Sequence, residues 1–164
     1  MRWLLMIGIV LAAVLVAGRL GAFSGRPPSR LGFTEGKFKP PSKTPNSVSS
    51  QADLWPDHPQ REYARIAPLA FSGDAGAAWA RLQQVIAATP GARIVRVEGD
   101  YLYAQFTTRW MGFADDAEFW LDRGGAVIQV RSSSRVGRKD FGMNRARVEA
   151  LRTRLAAPPA AGAG

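Results

Sequence analysis

The sequence predicts an α+β domain in which a helix, a four-stranded antiparallel sheet and a second helix form two layers. Apolar residues recur at helical spacing near both ends of residues 63–157. Between them, four segments alternate apolar and polar residues and are separated by short turns. An apolar amino-terminal run and a proline-rich stretch precede this region, so we expect a transmembrane helix and an extended arm in front of the domain.

Residues 1–23 predict a membrane anchor. The uncharged run from Trp3 to Gly18 spans roughly 24 Å as a helix, and four further residues after Arg19 extend it to about 31 Å, enough for a ~30 Å hydrocarbon core. A cleaved signal peptide is the alternative. The short amino-terminal tail favours an extracytoplasmic domain, which is the side we expect, whereas the flanking positive charges favour the opposite side.

Residues 24–62 predict an extended arm. Eight of the eleven prolines lie between Pro27 and Pro68, and helical periodicity is weak there. The segment still contains large apolar side chains, so we expect it to dock partly on the domain. These side chains are Leu31, Phe33, Phe38, Leu54 and Trp55.

The first domain helix is predicted to follow Ser72 or Asp74, either of which can cap it, and to end at Thr89-Pro90-Gly91. Its apolar positions are Ala75, Ala78, Trp79, Leu82, Val85 and Ile86.

Two hairpins are predicted to form the sheet. Gly99-Asp100 is typical of a two-residue turn, and the strands around it place Val95, Val97 and then Leu102, Ala104 and Phe106 on apolar faces. Gly124-Gly125 joins the third strand to the fourth, so that Phe119 opposes Val130 and Glu118 opposes Arg131. The charged pair would contribute ~0.2–1 kcal/mol.

The last helix is predicted from Asp140 to Ala157, with Asn144, Val148, Leu151 and Leu155 on its inner stripe. Residues 158–164 are expected to be a disordered tail.

Composition narrows the functional classes. The net charge of +9 favours anionic partners such as a lipid surface or a phosphorylated ligand, whereas nucleic acid is disfavoured because no RNP-type or zinc-finger motif occurs. The absence of cysteine excludes disulfides and thiolate metal sites, and the single histidine, His58, lies in a proline-flanked loop. We therefore expect no metal site and no cofactor. Oligomeric state is open.

Three acids form a candidate polar network. Asp116 and Glu118 share one strand face, while Asp115 points to the other. Paired carboxylates can perform acid–base chemistry, but Arg131 opposite Glu118 favours a structural ion-pair network. A nucleophilic serine with Lys139 as base is a remote alternative, since no nucleophile-elbow motif surrounds Ser132-Ser133-Ser134.

A candidate anion-binding site accompanies the dense arginine series. Guanidinium groups bind phosphate through bidentate hydrogen bonds, and a helix amino terminus near Asp140 adds backbone N–H donors. A solvated helix face combined with salt bridges to the three acids is the alternative, and the sequence favours it. The candidate residues are Arg131, Ser132, Ser134, Arg135, Arg138, Asn144 and Arg145.

The loop Trp110-Met111-Gly112-Phe113 is unusually apolar. It is suited either to a membrane surface or to packing beneath the arm, and we favour packing.

Several spaced motifs resemble the family of unknown function numbered 1499. They are TPNSVSSQ from Thr44, IAPL from Ile66, FADDAEF from Phe113, and VRSSSRVG from Val130 continuing to Asn144-Arg145. The resemblance covers about Gly32 to Leu155 and implies a small envelope- or membrane-associated domain without established activity. Many members carry cysteines around Pro-Asn in the first motif, and this chain has none. The motif within the arm implies that TPNSVSSQ is ordered against the domain.

These observations favour a membrane-tethered, non-enzymatic domain whose basic surface binds an anionic ligand, lipid head group or partner. A hydrolase using Asp115, Asp116 or Glu118 and a purely structural envelope protein are the alternatives.

Overall fold

The structure is a computed structural model that describes residues 2–157. An antiparallel sheet lies beneath two helices, and an apolar helix precedes it. The helices are α1 (Arg2–Arg19), α2 (Arg61–Ala64), α3 (Ala75–Ala87) and α4 (Met143–Ala156), and the strands are β1 (Ser47–Ser49), β2 (Leu69–Ala70), β3 (Ala92–Glu98), β4 (Tyr101–Thr107), β5 (Ala114–Asp122) and β6 (Val127–Ser134). The α+β class is confirmed. The predicted tail, 158–164, lies outside the described residues.

The sheet has six strands, so the prediction of four was wrong. Its order is β1-β6-β5-β4-β3, and β2 also pairs with β6. The four predicted strands are β3 to β6. The two additional strands contain three and two residues, too few for alternation to reveal. They pair with the outer edge of β6, which would otherwise expose its backbone N–H and C=O groups.

The core lies between the sheet and the pair α3 and α4. Asp74 caps α3 by accepting a hydrogen bond from the Ala77 N–H at 2.7 Å. Most of the predicted inner positions of both helices are buried, as are those of β4, whereas Ala75, Ala78 and Leu155 are half-buried. On β3, however, Val95 and Val97 are exposed, and Ala92 and Ile94 contact the core instead. A register irregularity between Ile94 and Arg96 accompanies this difference.

The arm covers part of the opposite sheet face. Phe33 stacks on Trp120 with ring centroids 4.1 Å apart, and Phe38 is buried against Tyr101 and Tyr103. Burial of this second apolar cluster joins residues 31–38 to the sheet.

The first helix is a candidate membrane span. α1 contains 18 residues, is strongly apolar and is almost entirely exposed. It ends at Arg19, four residues earlier than predicted, because the chain turns at Gly21, whose φ is +86° and whose N–H donates to Gly18 O. At 1.5 Å per residue it is about 27 Å long, close to the thickness of a thin bilayer core.

Candidate functional site

A buried ionic cluster occupies the sheet face beneath the arm. Glu118 on β5 lies opposite Arg131 on β6, with 3.6 Å between Oε2 and Nη1. The other Glu118 oxygen accepts hydrogen bonds from the Tyr101 hydroxyl at 2.9 Å and the Gly32 N–H at 2.7 Å. Burial lowers the pKa of Arg131, and the charge of Glu118 opposes that shift. The predicted contact between Glu118 and Arg131 is confirmed.

The second pair in this cluster is Asp116 with Arg135. Arg135 binds both carboxylate oxygens, through Nη2 at 2.7 Å and Nε at 2.9 Å. Its Nη2 also donates to Gln105, and the Tyr103 hydroxyl donates to Asp116 at 2.5 Å. The hydrogen bonds to Asp116 raise the pKa of Arg135. This guanidinium is therefore engaged within the protein.

Asp115 lies on the opposite face, as strand alternation predicted, and pairs with Arg147 of α4. Arg147 also donates to Ser132 at 3.0 Å and to Asn144 Oδ1 at 2.7 Å. Its guanidinium lies 4.9 Å from the ring centroid of Phe106. All three candidate acids thus have an arginine partner inside the fold.

Asn144 forms a buried junction between α4, β6 and the arm. Its Oδ1 accepts from Ser132 at 2.7 Å, and its Nδ2 contacts Ser134 Oγ at 3.0 Å and Asn46 O at 3.1 Å. Asp140 Oδ2 lies 2.8 Å from the same nitrogen. These hydrogen bonds connect three chain segments and occupy both polar atoms of the buried Asn144 side chain.

The amino terminus of α4 lies at Met143, three residues later than predicted, with Gly142 in a left-handed conformation before it. The Asp140 carboxylate accepts from the N–H groups of Gly142 at 3.0 Å and Asn144 at 3.1 Å, and from the Tyr63 hydroxyl. Burial opposes ionisation, but these hydrogen bonds together lower the pKa of Asp140. The helix terminus expected to offer donors to an anion is therefore occupied by the protein's own carboxylate.

The predicted anion-binding residues do not converge on one pocket. Arg131 and Arg135 lie in the ionic cluster, and Ser132, Ser134 and Asn144 lie in the junction. Arg145 donates to the Tyr63 carbonyl at 2.7 Å, while Arg138 is exposed. Anion binding by this set as a unit stays a prediction.

Three segments meet where α1 joins the domain, and we call them the anchor-proximal end: residues 18–26, 108–113 and 135–139. A Cβ at Gly18 would lie 2.7 Å from Met111 O, and one at Gly25 would lie 2.7 Å from Val136 Cγ2. The ring centroids of Phe23 and Phe113 are 5.7 Å apart. The apolar loop thus packs against the anchor, not beneath the arm as favoured above.

Exposed aromatic and basic groups characterise this end. Trp110 is 58% exposed and Phe113 is 37% exposed. The guanidinium groups of Arg19 and Arg109 lie 5.7 and 5.2 Å from the Trp110 ring centroid. The three segments contain six basic residues and no acidic residue: Arg19, Arg26, Arg109, Arg135, Arg138 and Lys139.

Sequence reasoning missed several partners in the ionic cluster. Tyr103 and Gln105 lie directly opposite Glu118 and Asp116, so extending the strand register to β4 would have found them. The contact between Arg147 and Asp115 had no such signal, because it depends on how α4 crosses the sheet.

No group of three or more metal-ligating side chains occurs within residues 2–157. The candidate polar residues therefore form mainly internal ion pairs. The anchor-proximal end, in contrast, exposes basic and aromatic side chains. The structure contains no nucleophile with an adjacent base among the candidates considered above.

Comparison with known proteins agrees with the resemblance noted in the sequence. No curated protein and no solved structure gives a significant match. A family model described as a protein of unknown function, DUF1499, matches residues 37–155, which include all six strands and extend almost to the end of α4. The chain therefore belongs to the DUF1499 family.

Proposed function

We propose that this protein is a membrane-anchored domain whose anchor-proximal end rests on, and binds, an anionic lipid surface. The observation that carries the proposal is the packing of the end of α1 against the loop with exposed Trp110 and Phe113, where Arg19 and Arg109 flank the indole. Tryptophan with neighbouring cations is well suited to the boundary between lipid head groups and acyl chains.

The charge distribution supports this choice of partner. Of the six basic residues at the anchor-proximal end, Arg135 is neutralised by Asp116. The other five form no ion pair with any residue from 2 to 157. Basic residues close to an anionic bilayer contribute about 1 kcal/mol each. Their combined attraction would hold the domain against the surface that α1 enters.

Contacts between α1 and the domain favour a retained anchor over a signal peptide. Gly18 and Phe23 contact residues of the folded domain, and cleavage near Gly18 would remove part of that interface. We propose the extracytoplasmic side for the domain, an assignment that the labelling experiment below tests.

The three acids do not favour a hydrolase. Asp115, Asp116 and Glu118 are buried, and each pairs with an arginine. A general acid or base needs access to substrate, and these carboxylates lack it.

The absence of cysteine from the chain allows a clean test by single-site labelling. Val136→Cys places an environment-sensitive dye at the anchor-proximal end, and Gly124→Cys places it in the hairpin loop at the far end of the sheet. In nanodiscs containing phosphatidylglycerol, lipids that carry spin-label quenchers should quench the fluorescence of the dye at 136. The fluorescence of the dye at 124 should be unchanged. Equal quenching at both sites, or none at 136, would contradict the proposal.

The same label at 124 tests topology. An impermeant maleimide added to intact cells should react with Gly124→Cys if the domain lies outside the cytoplasm. Reaction only after lysis would reverse that assignment without affecting contact with the membrane.

A further inference from the structure

A groove of about 480 Å³ lies between α4 and the adjoining ends of α3 and β4. Phe106 and Leu151 are buried core residues that line it, and Ala146 and Ala150 contribute small side chains from α4. The lining positions of α4 extend over the twelve residues from Met143 to Arg154, about 16 Å along the helix. The groove is therefore elongated and mainly apolar, a shape suited to a hydrocarbon chain.

The charged residues that line the groove are all arginines: Arg109, Arg147 and Arg154. Arg147 is neutralised by Asp115. Arg154 donates to the Thr89 hydroxyl at 2.5 Å, and neither it nor Arg109 pairs with a carboxylate among the described residues. An apolar groove bordered by uncompensated cations is complementary to an anionic amphiphile.

The groove is continuous with the anchor-proximal end. Arg109 lines it and at the same time lies against Trp110, which contacts Arg19 at the end of α1. A lipid in the bilayer that receives α1 would therefore meet Arg109 first and could extend a chain along α4. Arg154, by contrast, is held within the protein by its hydrogen bond to the Thr89 hydroxyl.

We propose that the groove binds one acyl chain of an anionic phospholipid from the surrounding bilayer, with the lipid phosphate at Arg109. This inference rests on the proposed function, because the domain must lie against the membrane for a lipid to enter. It goes further by assigning a discrete lipid site and by assigning phosphate binding to Arg109 and not to Arg154.

The test uses the full chain in phosphatidylcholine nanodiscs that contain a phosphatidylglycerol probe with a photoactivatable diazirine near the end of one acyl chain. Peptide mass spectrometry after illumination should find cross-links on α4 around Ala146 and Ala150, besides those on α1. The Ala150→Phe variant should lose the cross-links on α4 and keep those on α1, which act as an internal reference. Ala150 is exposed, so its replacement leaves the core intact.

Arg109→Gln should lower the α4 cross-link yield about five-fold, the equivalent of about 1 kcal/mol for one basic residue at an anionic surface. Arg154→Gln should change it much less. Cross-links confined to α1 and residues 108–113 would overturn the lipid site while supporting membrane contact. Cross-links on α1 alone would overturn both proposals. Equal α4 labelling by a phosphatidylcholine probe would overturn the selection for anionic lipid.

Discussion

Glu118 and Arg131 lie opposite each other on β5 and β6, with 3.6 Å between Oε2 and Nη1, and their side chains are 1% and 3% exposed. Neither Glu118 Oε2 nor Arg131 Nε has a hydrogen-bond partner among the described residues. The two charges therefore depend on each other for compensation inside the sheet. Removing one leaves the other buried and unpaired, which is far costlier than losing an exposed ion pair.

We expect Glu118→Gln to lower the free energy of unfolding by about 3–5 kcal/mol. Glutamine keeps an oxygen that can accept from Tyr101 and Gly32, so the main loss is the charge opposite Arg131. Urea unfolding of the full chain in detergent micelles measures the change.

Glu98→Gln is the matched control for that variant. Glu98 and Arg96 are also 3.6 Å apart, but their side chains are 64% and 41% exposed. Its effect should stay within about 1 kcal/mol, as for other surface pairs. Equal effects of the two variants would contradict the dependence on burial.

Asp140→Asn should destabilise the protein by about 1–2 kcal/mol at neutral pH, because the Asp140 carboxylate accepts hydrogen bonds from backbone N–H groups at the start of α4. The folded pKa of Asp140 is below its ordinary value of 3.8. The stability it contributes is therefore present above pH 3.8 and is lost as pH falls through the lower folded value. The difference between wild type and variant, measured by unfolding, should shrink over that range.

Asp57→Asn is the control for Asp140, since Asp57 is an exposed loop residue. It should change stability little across the same range. A wild-type advantage over Asp140→Asn that does not shrink at any pH below 3.8 would contradict the assigned role.

All three tyrosines should resist ionisation in the folded protein. Burial raises the pKa of Tyr63, Tyr101 and Tyr103, and each hydroxyl also donates to a carboxylate, in Asp140, Glu118 and Asp116 respectively. Near the ordinary pKa of 10.0, the folded chain should therefore show little phenolate absorbance in the near ultraviolet.

The same shifts predict alkaline instability. The stability from these groups is complete below pH 10 and is lost as pH rises through the raised folded values, because the unfolded chain releases the protons first. Phenolate absorbance should thus appear together with loss of tertiary structure, and protein unfolded in urea should titrate near 10. Phenolate absorbance equivalent to one complete tyrosine near pH 10, with the chain still folded, would be inconsistent with these hydrogen bonds.

Gly112→Ala should detach the end of α1 from the domain. Gly112 has a φ of +65°, and a Cβ there would lie 2.1 Å from the backbone oxygen of Gly18. The clash adds to a conformational cost of about 1 kcal/mol. We expect faster tryptic cleavage after Arg19 in detergent micelles.

Gly99→Ala is the control that separates backbone strain from the steric clash with Gly18. Gly99 has a similar φ of +56°, but nothing lies within 4 Å of a Cβ there. It should cost about the same conformational energy without changing the cleavage rate after Arg19. Equal acceleration by both variants would argue against the close approach of Gly18 and Gly112.

The sequence by itself determined the apolar first helix, the inner stripes of α3 and α4, and the register of β5 with β6. Local periodicity decides these features, because an amphipathic segment can bury only one face and a hairpin turn sets which residues oppose each other. The pairing of Glu118 with Arg131 followed from that register alone. The family resemblance also came from the sequence, through motifs that lie mainly on these elements.

Only the tertiary structure decided where the remaining polar residues act. The pairing of Asp115 with Arg147 depends on how α4 crosses the sheet, and the contact of Gly18 with Met111 depends on where α1 ends. The four arginines that were candidates for one anion site separate in the fold. Arg131 and Arg135 lie in the ionic cluster, Arg145 contacts the Tyr63 carbonyl, and Arg138 is exposed. Contacts between distant segments follow from packing of the whole fold, which no local pattern contains.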